Sequence, residues 1–147
     1  MEQYHCFGCD PSSPVGLRMS FFVEGETLRC HWHPRPELEG YPGVIHGGIQ
    51  ATLADEIGGW FIHSHRGTAG VTKDLQITYH SPAHADAGPF ELTAQMVDET
   101  EKEITMGVTI HGCEGTLLST ATITYAKFSE HVARKRLGFP GAESFRI

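Results

Sequence analysis

The sequence has no long hydrophobic run and little basic charge. Its 147 residues include 11 Lys and Arg against 18 Asp and Glu, which gives a formal charge of −7 with histidine neutral. A nucleic-acid-binding protein presents an excess of basic residues, so this composition argues against that function. The longest apolar stretches span only a few residues, far below the roughly 20 that a transmembrane helix needs, so we expect no membrane association.

The N-terminal residues also lack the features of a secretory signal. The stretch MEQYHCFGCD contains no basic region followed by an apolar one, so we expect a cytoplasmic protein with reduced cysteines. Cys6 and Cys9 form a CxxC pair, and Cys30, His31 and His33 are candidates for the second half of a zinc site. Because that second group is irregular, a tight N-terminal turn is the favoured interpretation, and the sequence predicts neither a bound metal nor a cofactor.

No internal repeat, low-complexity tract or linker divides the chain, and its length suits one domain. We expect an irregular lead-in over residues 1–16, a folded domain over 17–128 and a C-terminal tail over 129–147. Glycine is frequent, at 17 of 147 residues. This frequency indicates tight turns or a close approach of the backbone to a ligand.

The pattern of apolar residues predicts one helix and six strands. Ile49, Leu53, Ile57 and Trp60 recur at helical spacing and predict a helix from His46 to about His65. Alternating apolar and polar residues predict strands over 17–23, 27–33, 71–80, 90–98, 103–111 and 116–128. This order indicates an α+β fold whose antiparallel sheet is covered on one face. One helix cannot cover so much apolar surface, so we expect a homodimer.

The densest chemical signal lies where the predicted helix begins, at His46-Gly47-Gly48. Helix N-termini present unpaired N–H groups and the positive end of the helix dipole. Glycine lets a ligand oxygen approach that backbone without a Cβ in the way. These features are typical of an oxyanion hole.

Carboxylates and a hydroxyl follow this motif. Asp55 lies about two turns into the helix among small and apolar residues, which makes it a candidate base or nucleophile. Glu56, at the border of the apolar face, is the alternative acid, although a surface charge is the commoner role for such a residue. Thr72 begins the next predicted strand, where its hydroxyl could hold a water or simply reflect β propensity.

Three stretches carry a family resemblance: GVIHGGIQATLADE (43–56), GVTKDLQITYHSPA (70–83) and GTLLSTATITYAKF (115–128). Over residues 15–128 the chain resembles the hotdog-fold acyl-CoA thioesterases of the phenylacetate-degradation and human thioesterase-superfamily type. The resemblance implies a long central helix wrapped by an antiparallel sheet. It also implies a homodimer, or a dimer of dimers, with the active site at the subunit interface.

The resemblance assigns roles to individual positions. Asp55 matches the catalytic carboxylate, and Gly47 matches the glycine whose N–H polarises the thioester carbonyl. His46 matches a helix-entry histidine that orients the loop, and Thr72 matches a Ser or Thr near the attacking water. One position departs from the pattern, because Gly40 stands where some members carry an Asn or Gln.

The implied activity is hydrolysis of an acyl-CoA thioester to a free acid and CoA. Two alternatives stay open, a hydratase or dehydratase of the same fold and a non-catalytic acyl-CoA-binding protein. The first pairs its Asp with a nearby His, whereas His63 and His65 lie eight and ten residues beyond Asp55. Gly40 keeps the second alternative open.

Five further positions are candidates for binding the substrate. Gly48 and Val71 lie within the matched motifs, and Tyr41 and Trp60 could line a pocket for the acyl group. Lys73 is a candidate partner for the negative charges of CoA, which a chain of formal charge −7 must bind through local positive features.

Overall fold

A computed structural model describes residues 5–141 of the chain. The strands are β1 (Phe22–Glu24), β2 (Thr27–Trp32), β3 (Gly70–Tyr79), β4 (Phe90–Glu99), β5 (Glu103–His111) and β6 (Leu117–Lys127). The α-helices are α1 (Gly47–Arg66) and α2 (Glu130–Leu137), and a 3-10 turn spans Pro36–Leu38. None of the helices in residues 5–141 combines the length and apolar character needed to span a membrane.

The six strands form one antiparallel sheet in the order β1-β2-β4-β5-β6-β3, and α1 packs across one face of it. Leu53, Ile57 and Phe61 of α1 are at most 1% exposed, as are Leu92 and Ile123 of the sheet. The opposite face carries polar side chains, including the threonines at paired positions 93, 109, 120 and 78. These features confirm the predicted α+β hotdog fold, an antiparallel sheet around one long central helix.

The ends of α1 are set by two residues that do not continue it. His46 is the N-cap, and its imidazole accepts a hydrogen bond from the backbone of the first turn. At the other end Gly67 adopts φ 64, a left-handed conformation that glycine takes without a Cβ penalty, and its N–H bonds the carbonyl of His63. The predicted helix is therefore confirmed to within a residue or so at each end.

Gly58 marks a close approach between α1 and β6. A Cβ at this position would lie less than 3.0 Å from the Tyr125 hydroxyl, whereas a Cβ at Gly59 would meet open space. The Tyr125 hydroxyl donates to the backbone carbonyl of Asp55 at 2.7 Å. Gly58 thus costs helix propensity but lets the phenol reach the helix backbone.

The first predicted strand, over 17–23, is wrong in extent, because β1 begins only at Phe22. Two backbone N–H groups of this segment bond the lead-in instead: Leu17 donates to Phe7 at 2.8 Å and Met19 donates to Gly8 at 2.9 Å. Between them Arg18 adopts φ 58, which interrupts extended backbone. Two backbone donors that a longer β1 could use for sheet pairing therefore bond the lead-in instead.

The predicted tail contains the second helix, which the apolar pattern did not reveal. Ser129 caps α2 by accepting a hydrogen bond from the Val132 N–H, and Gly138 ends it with φ 67. Only Ala133 of this helix is buried, and it packs with Ala69 and Phe139 in a small cluster. A short helix with so little apolar surface has cap residues as its main sequence signal.

The two adjacent glycines of α1 provide a matched pair of substitutions. Gly59→Ala should raise the free energy of unfolding by up to about 1 kcal/mol, because alanine favours helix and the site is open. Gly58→Ala should instead lower it by about 1–3 kcal/mol, because the new methyl group displaces Tyr125. Urea denaturation of both variants measures whether the free energy of unfolding rises or falls. Stabilisation by Gly58→Ala would contradict the close approach of Tyr125 to the helix.

Burial makes His63 a source of acid sensitivity. Its ring lies between Trp60 and Phe139, with centroids 5.4 and 5.2 Å away, and burial lowers its pKa from 6.5 to about 4. Because the folded-state pKa is the lower one, the unfolded chain takes up the proton first as the pH falls. Stability should therefore decrease between pH 6.5 and about 4, by up to about 3 kcal/mol.

Replacing this ring should flatten that part of the pH profile. We expect His63→Leu to lose less melting temperature than the parent chain between pH 6.5 and 4, measured by thermal denaturation. His131→Leu, at an exposed position on α2, is the control and should keep the parental slope. If the melting temperatures of the parent and both variants fell equally with pH, His63 would not be the cause of the acid sensitivity.

Candidate functional site

The candidate site centres on a carboxylate of α1 that is held by the neighbouring edge strand. Asp55 is half-buried, and its Oδ1 accepts a hydrogen bond of 2.8 Å from the Thr72 hydroxyl on β3. The structure therefore brings together two of the residues predicted from the sequence. Burial, and secondarily the neighbouring Asp55, raises the pKa of Tyr125 well above its ordinary value, so this phenol remains a hydrogen-bond donor beneath the site.

A β-bulge in β3 determines which side chain faces the helix. Thr72 pairs with Tyr125 and Asp74 pairs with Thr124, so Lys73 is an extra residue on its strand. Thr72 consequently shares the helix-facing side with Leu75. Without a bulge, strict alternation along the strand would put Val71 on the side of Leu75. The bulge places Val71 on the opposite face, away from Asp55.

At the start of α1, one of the two glycine N–H groups bonds the capping side chain and the other is left without an acceptor in the described chain. The Nδ1 atom of His46 accepts a hydrogen bond of 2.8 Å from the Gly48 N–H. Among residues 5–141 no acceptor pairs with the Gly47 N–H, so this donor is available. The predicted oxyanion donor is therefore free, whereas the Gly48 N–H is already used by the cap and cannot serve a substrate at the same time.

Tyr79 is a site residue that sequence analysis missed. Its hydroxyl donates to the Gly47 carbonyl at 2.6 Å, and a Cβ on Gly47 would lie 3.2 Å from the ring and hydroxyl. Alternation along β3 puts Tyr79 on the same face as Leu75 and Ile77, but it reveals no role for the hydroxyl. Tyr79 is 48% exposed and lies 32 residues beyond Gly47, so no local pattern in the sequence links the two.

Glu56 lies apart from the Asp55–Thr72 pair. Its Oε1 accepts hydrogen bonds from the Cys6 thiol at 2.8 Å and from the Trp60 indole at 3.0 Å. Consecutive helix residues point in directions about 100° apart, so the adjacent carboxylates serve different surroundings. The structure therefore places the alternative acid against the lead-in.

The remaining substrate-binding candidates are dispersed. Trp60 is only 9% exposed and stacks on Phe21 at 4.9 Å, so it belongs to the core. Lys73 pairs with the carboxylate of Glu103, and this hydrogen bond raises the pKa of the lysine. Tyr41 is 83% exposed, beside a depression of about 450 Å³. That depression is lined by Gly40, Tyr41, Val44, Ile45, His46 and Gly47.

The residues considered for a second zinc half-site do not join the CxxC pair. Cys30 is fully buried in β2, where burial raises its pKa to about 12, and His31 and His33 are exposed. In the described part of the chain, Cys6 and Cys9 instead share their surroundings with Glu56.

Comparison with known proteins places this geometry in a family. The model of the thioesterase superfamily matches residues 42–119, more than half of the 147-residue chain. Human acyl-coenzyme A thioesterase 13 is 48% identical over 55 residues, which cover 37% of this chain and 39% of that protein. The chain thus spans about two fifths of the length of the curated relatives it matches.

Solved structures share the fold over a longer span. A hypothetical thioesterase protein from Streptococcus pneumoniae, determined with coenzyme A, has a TM-score of 0.71 at 24% identity and covers 76% of this chain and 90% of its own. The PaaI protein of the E. coli phenylacetic acid degradation operon has a TM-score of 0.70 at 15% identity, with 78% and 82% covered. The predicted resemblance is confirmed: this chain belongs to the thioesterase superfamily and has its hotdog fold.

Proposed function

We propose that this protein hydrolyses an acyl-CoA thioester to a free acid and CoA. The observation that carries the proposal is the Asp55 carboxylate held at 2.8 Å by Thr72, on the helix whose entrance leaves the Gly47 N–H available. The name of the human relative, an acyl-coenzyme A thioesterase, supports this substrate class. The coenzyme A in the Streptococcus pneumoniae structure supports it as well.

The spacing along α1 indicates that one reaction centre needs two copies of the chain. Gly47 and Asp55 are eight residues apart, which corresponds to about 12 Å along a helix axis. A carbonyl oxygen bonded to Gly47 lies about 3 Å from that nitrogen, too far from Asp55 of the same helix for attack. We therefore propose that Asp55 of one copy works with Gly47 of another in a homodimer.

The edge strand β3 offers a surface for this pairing. It has ten residues, pairs only with β6 in the described chain, and carries both Thr72 and Tyr79. A long open edge with unpaired backbone groups favours association with another strand. A second copy pairing here would extend the sheet and bring both helices to the shared edge. Association of two such dimers stays a prediction.

In the proposed mechanism the thioester carbonyl accepts a hydrogen bond from the Gly47 N–H at the positive end of α1. This donor would stabilise the oxyanion by about 3–4 kcal/mol. Asp55, with Oδ1 oriented by Thr72, removes a proton from water as the water oxygen attacks the carbonyl carbon. The C–S bond then breaks, and the CoA thiolate takes up a proton.

Direct attack by Asp55 is the alternative route. The carboxylate oxygen would then form an anhydride with the acyl group and release the CoA thiolate, and water would hydrolyse the anhydride. Gly47 and Thr72 keep the same roles in both routes. Each route therefore depends on the carboxylate of Asp55.

A non-catalytic acyl-CoA-binding protein is the second candidate function, and Gly40 favours it. This position provides no side chain where some family members carry an amide, and a Cβ here would lie 3.2 Å from the His46 ring. A hydratase has less support, because His63 lies between Trp60 and Phe139.

Substitution of the carboxylate tests the proposed hydrolysis. Asp55→Asn keeps the shape of the side chain and a hydrogen-bonding oxygen for Thr72, but it cannot act as a base. We expect kcat to fall by about 10²–10⁴-fold, measured as thiol release from short, medium-length and aromatic acyl-CoAs. Circular dichroism and sedimentation should show an unchanged fold and assembly.

The matched control is Asp98→Asn, an exposed carboxylate at the end of β4, which should retain the parental rate. Parental turnover by Asp55→Asn would remove Asp55 from the mechanism. Tight acyl-CoA binding without thiol release by the parent protein, across all chain lengths, would establish the binding protein instead.

His46 should act as a positioning residue, because its Nδ1 already accepts the Gly48 N–H. His46→Ala should lower the free energy of unfolding by about 1 kcal/mol, the usual cost of losing an N-cap, and reduce thiol release with it. His46→Asn preserves a capping side chain and should restore both stability and most of the rate. A folded His46→Asn as inactive as Asp55→Asn would instead identify His46 as a proton carrier.

A further inference from the structure

We propose that Cys6, Cys9 and Glu56 bind a zinc(II) ion at the junction of the lead-in and α1. The two sulfurs and one carboxylate oxygen lie within 4.8 Å of one another, and all three residues are half-buried. Thiolate sulfur and carboxylate oxygen are both established zinc ligands. The proposal is independent of thioester hydrolysis, because the proposed reaction uses none of these side chains.

The CxxC turn is shaped to present its sulfurs. The Cys9 N–H donates to the Cys6 Sγ at 3.2 Å, and the Asp10 N–H donates to the Cys6 carbonyl at 3.0 Å. These bonds hold the turn in the form that keeps the Cys6 and Cys9 sulfurs within 4.8 Å of each other and of a Glu56 carboxylate oxygen.

The turn is also fastened in place against the helix. The Leu17 N–H donates to the Phe7 carbonyl and the Met19 N–H donates to the Gly8 carbonyl, so both residues between the two cysteines are held by backbone hydrogen bonds. A Cβ at Gly8 would lie less than 3.0 Å from the side chain of Glu56. Only glycine at this position lets the carboxylate lie directly on the backbone between the two cysteines, so the three ligand groups are brought together by the fold itself.

The surroundings of Glu56 favour a cation. No ion pair among residues 5–141 involves this half-buried carboxylate. Withdrawing a carboxylate from water is costly unless a charge or metal compensates it. The Trp60 indole donates to Oε1 at 3.0 Å and fixes its orientation, as outer partners do around metal ligands.

Binding would exchange two thiol protons for the metal. The ion enters where the Cys6 thiol donates to Glu56, both protons leave to solvent, and two Zn–S bonds and one Zn–O bond form. The present sulfur–oxygen separation of 2.8 Å must widen to about 3.5 Å for tetrahedral zinc, which side-chain rotation can supply. Water takes the fourth position, and the site carries a net charge of about −1.

Cobalt(II) titration of the full-length, metal-free, reduced protein tests the site. We expect one equivalent to bind with thiolate-to-cobalt charge-transfer absorption, which zinc then abolishes by displacement. Cys6→Ser and Cys9→Ser should each lose about half of this absorption and bind more than about tenfold more weakly. Glu56→Gln should keep both thiolates but also bind more than about tenfold more weakly.

Cys113→Ser is the matched control, because Cys113 is exposed and lies outside the cluster. It should bind cobalt like the parent protein. The proposal would be overturned if the reduced parent protein showed no charge-transfer absorption, or if Cys113→Ser lost it. A Cys6–Cys9 disulfide would overturn it too, if the protein still bound no cobalt after reduction. Should a serine variant fail to fold, unchanged affinity in Glu56→Gln would contradict the three-ligand site.

Discussion

The rest of the structure depends on the contact between α1 and β6. At Gly58 the helix comes so close to the sheet that the Tyr125 hydroxyl bonds the Asp55 carbonyl at 2.7 Å. This contact fixes where the middle of α1 lies on the sheet and how the helix is rotated about its own axis. With this rotation the Asp55 side chain reaches Thr72 on β3, whereas the side chain of Glu56 reaches Cys6 of the lead-in.

Two consecutive acids consequently belong to two different chemical settings. Asp55 accepts a hydrogen bond from Thr72 on β3, the strand at the open edge of the sheet. Glu56 accepts from Cys6 and Trp60 beneath the lead-in. The 100° rotation per residue of a helix is enough to separate a proposed catalytic group from a proposed metal ligand.

Prediction from sequence succeeded where a regular pattern coincides with a regular element. The 3.6-residue period predicted α1 and the two-residue period predicted most of the sheet, because burial on one face imposes these periods. It failed for 17–23, where backbone bonds to the lead-in and the positive φ of Arg18 interrupt the strand. It also failed for α2, whose signals are its caps rather than an apolar face.

The sequence by itself determined the fold class, the helix entrance at His46-Gly47-Gly48 and the candidate role of Asp55, because local spacing and residue chemistry specify them. Only the tertiary structure decided that Thr72 rather than Val71 faces Asp55, since a one-residue bulge reverses the side of every earlier residue on its strand. It also decided that Glu56 joins the CxxC turn, across 50 residues of sequence. Contacts between segments that are distant in the chain leave no period in either segment, so they arise only from the folded arrangement.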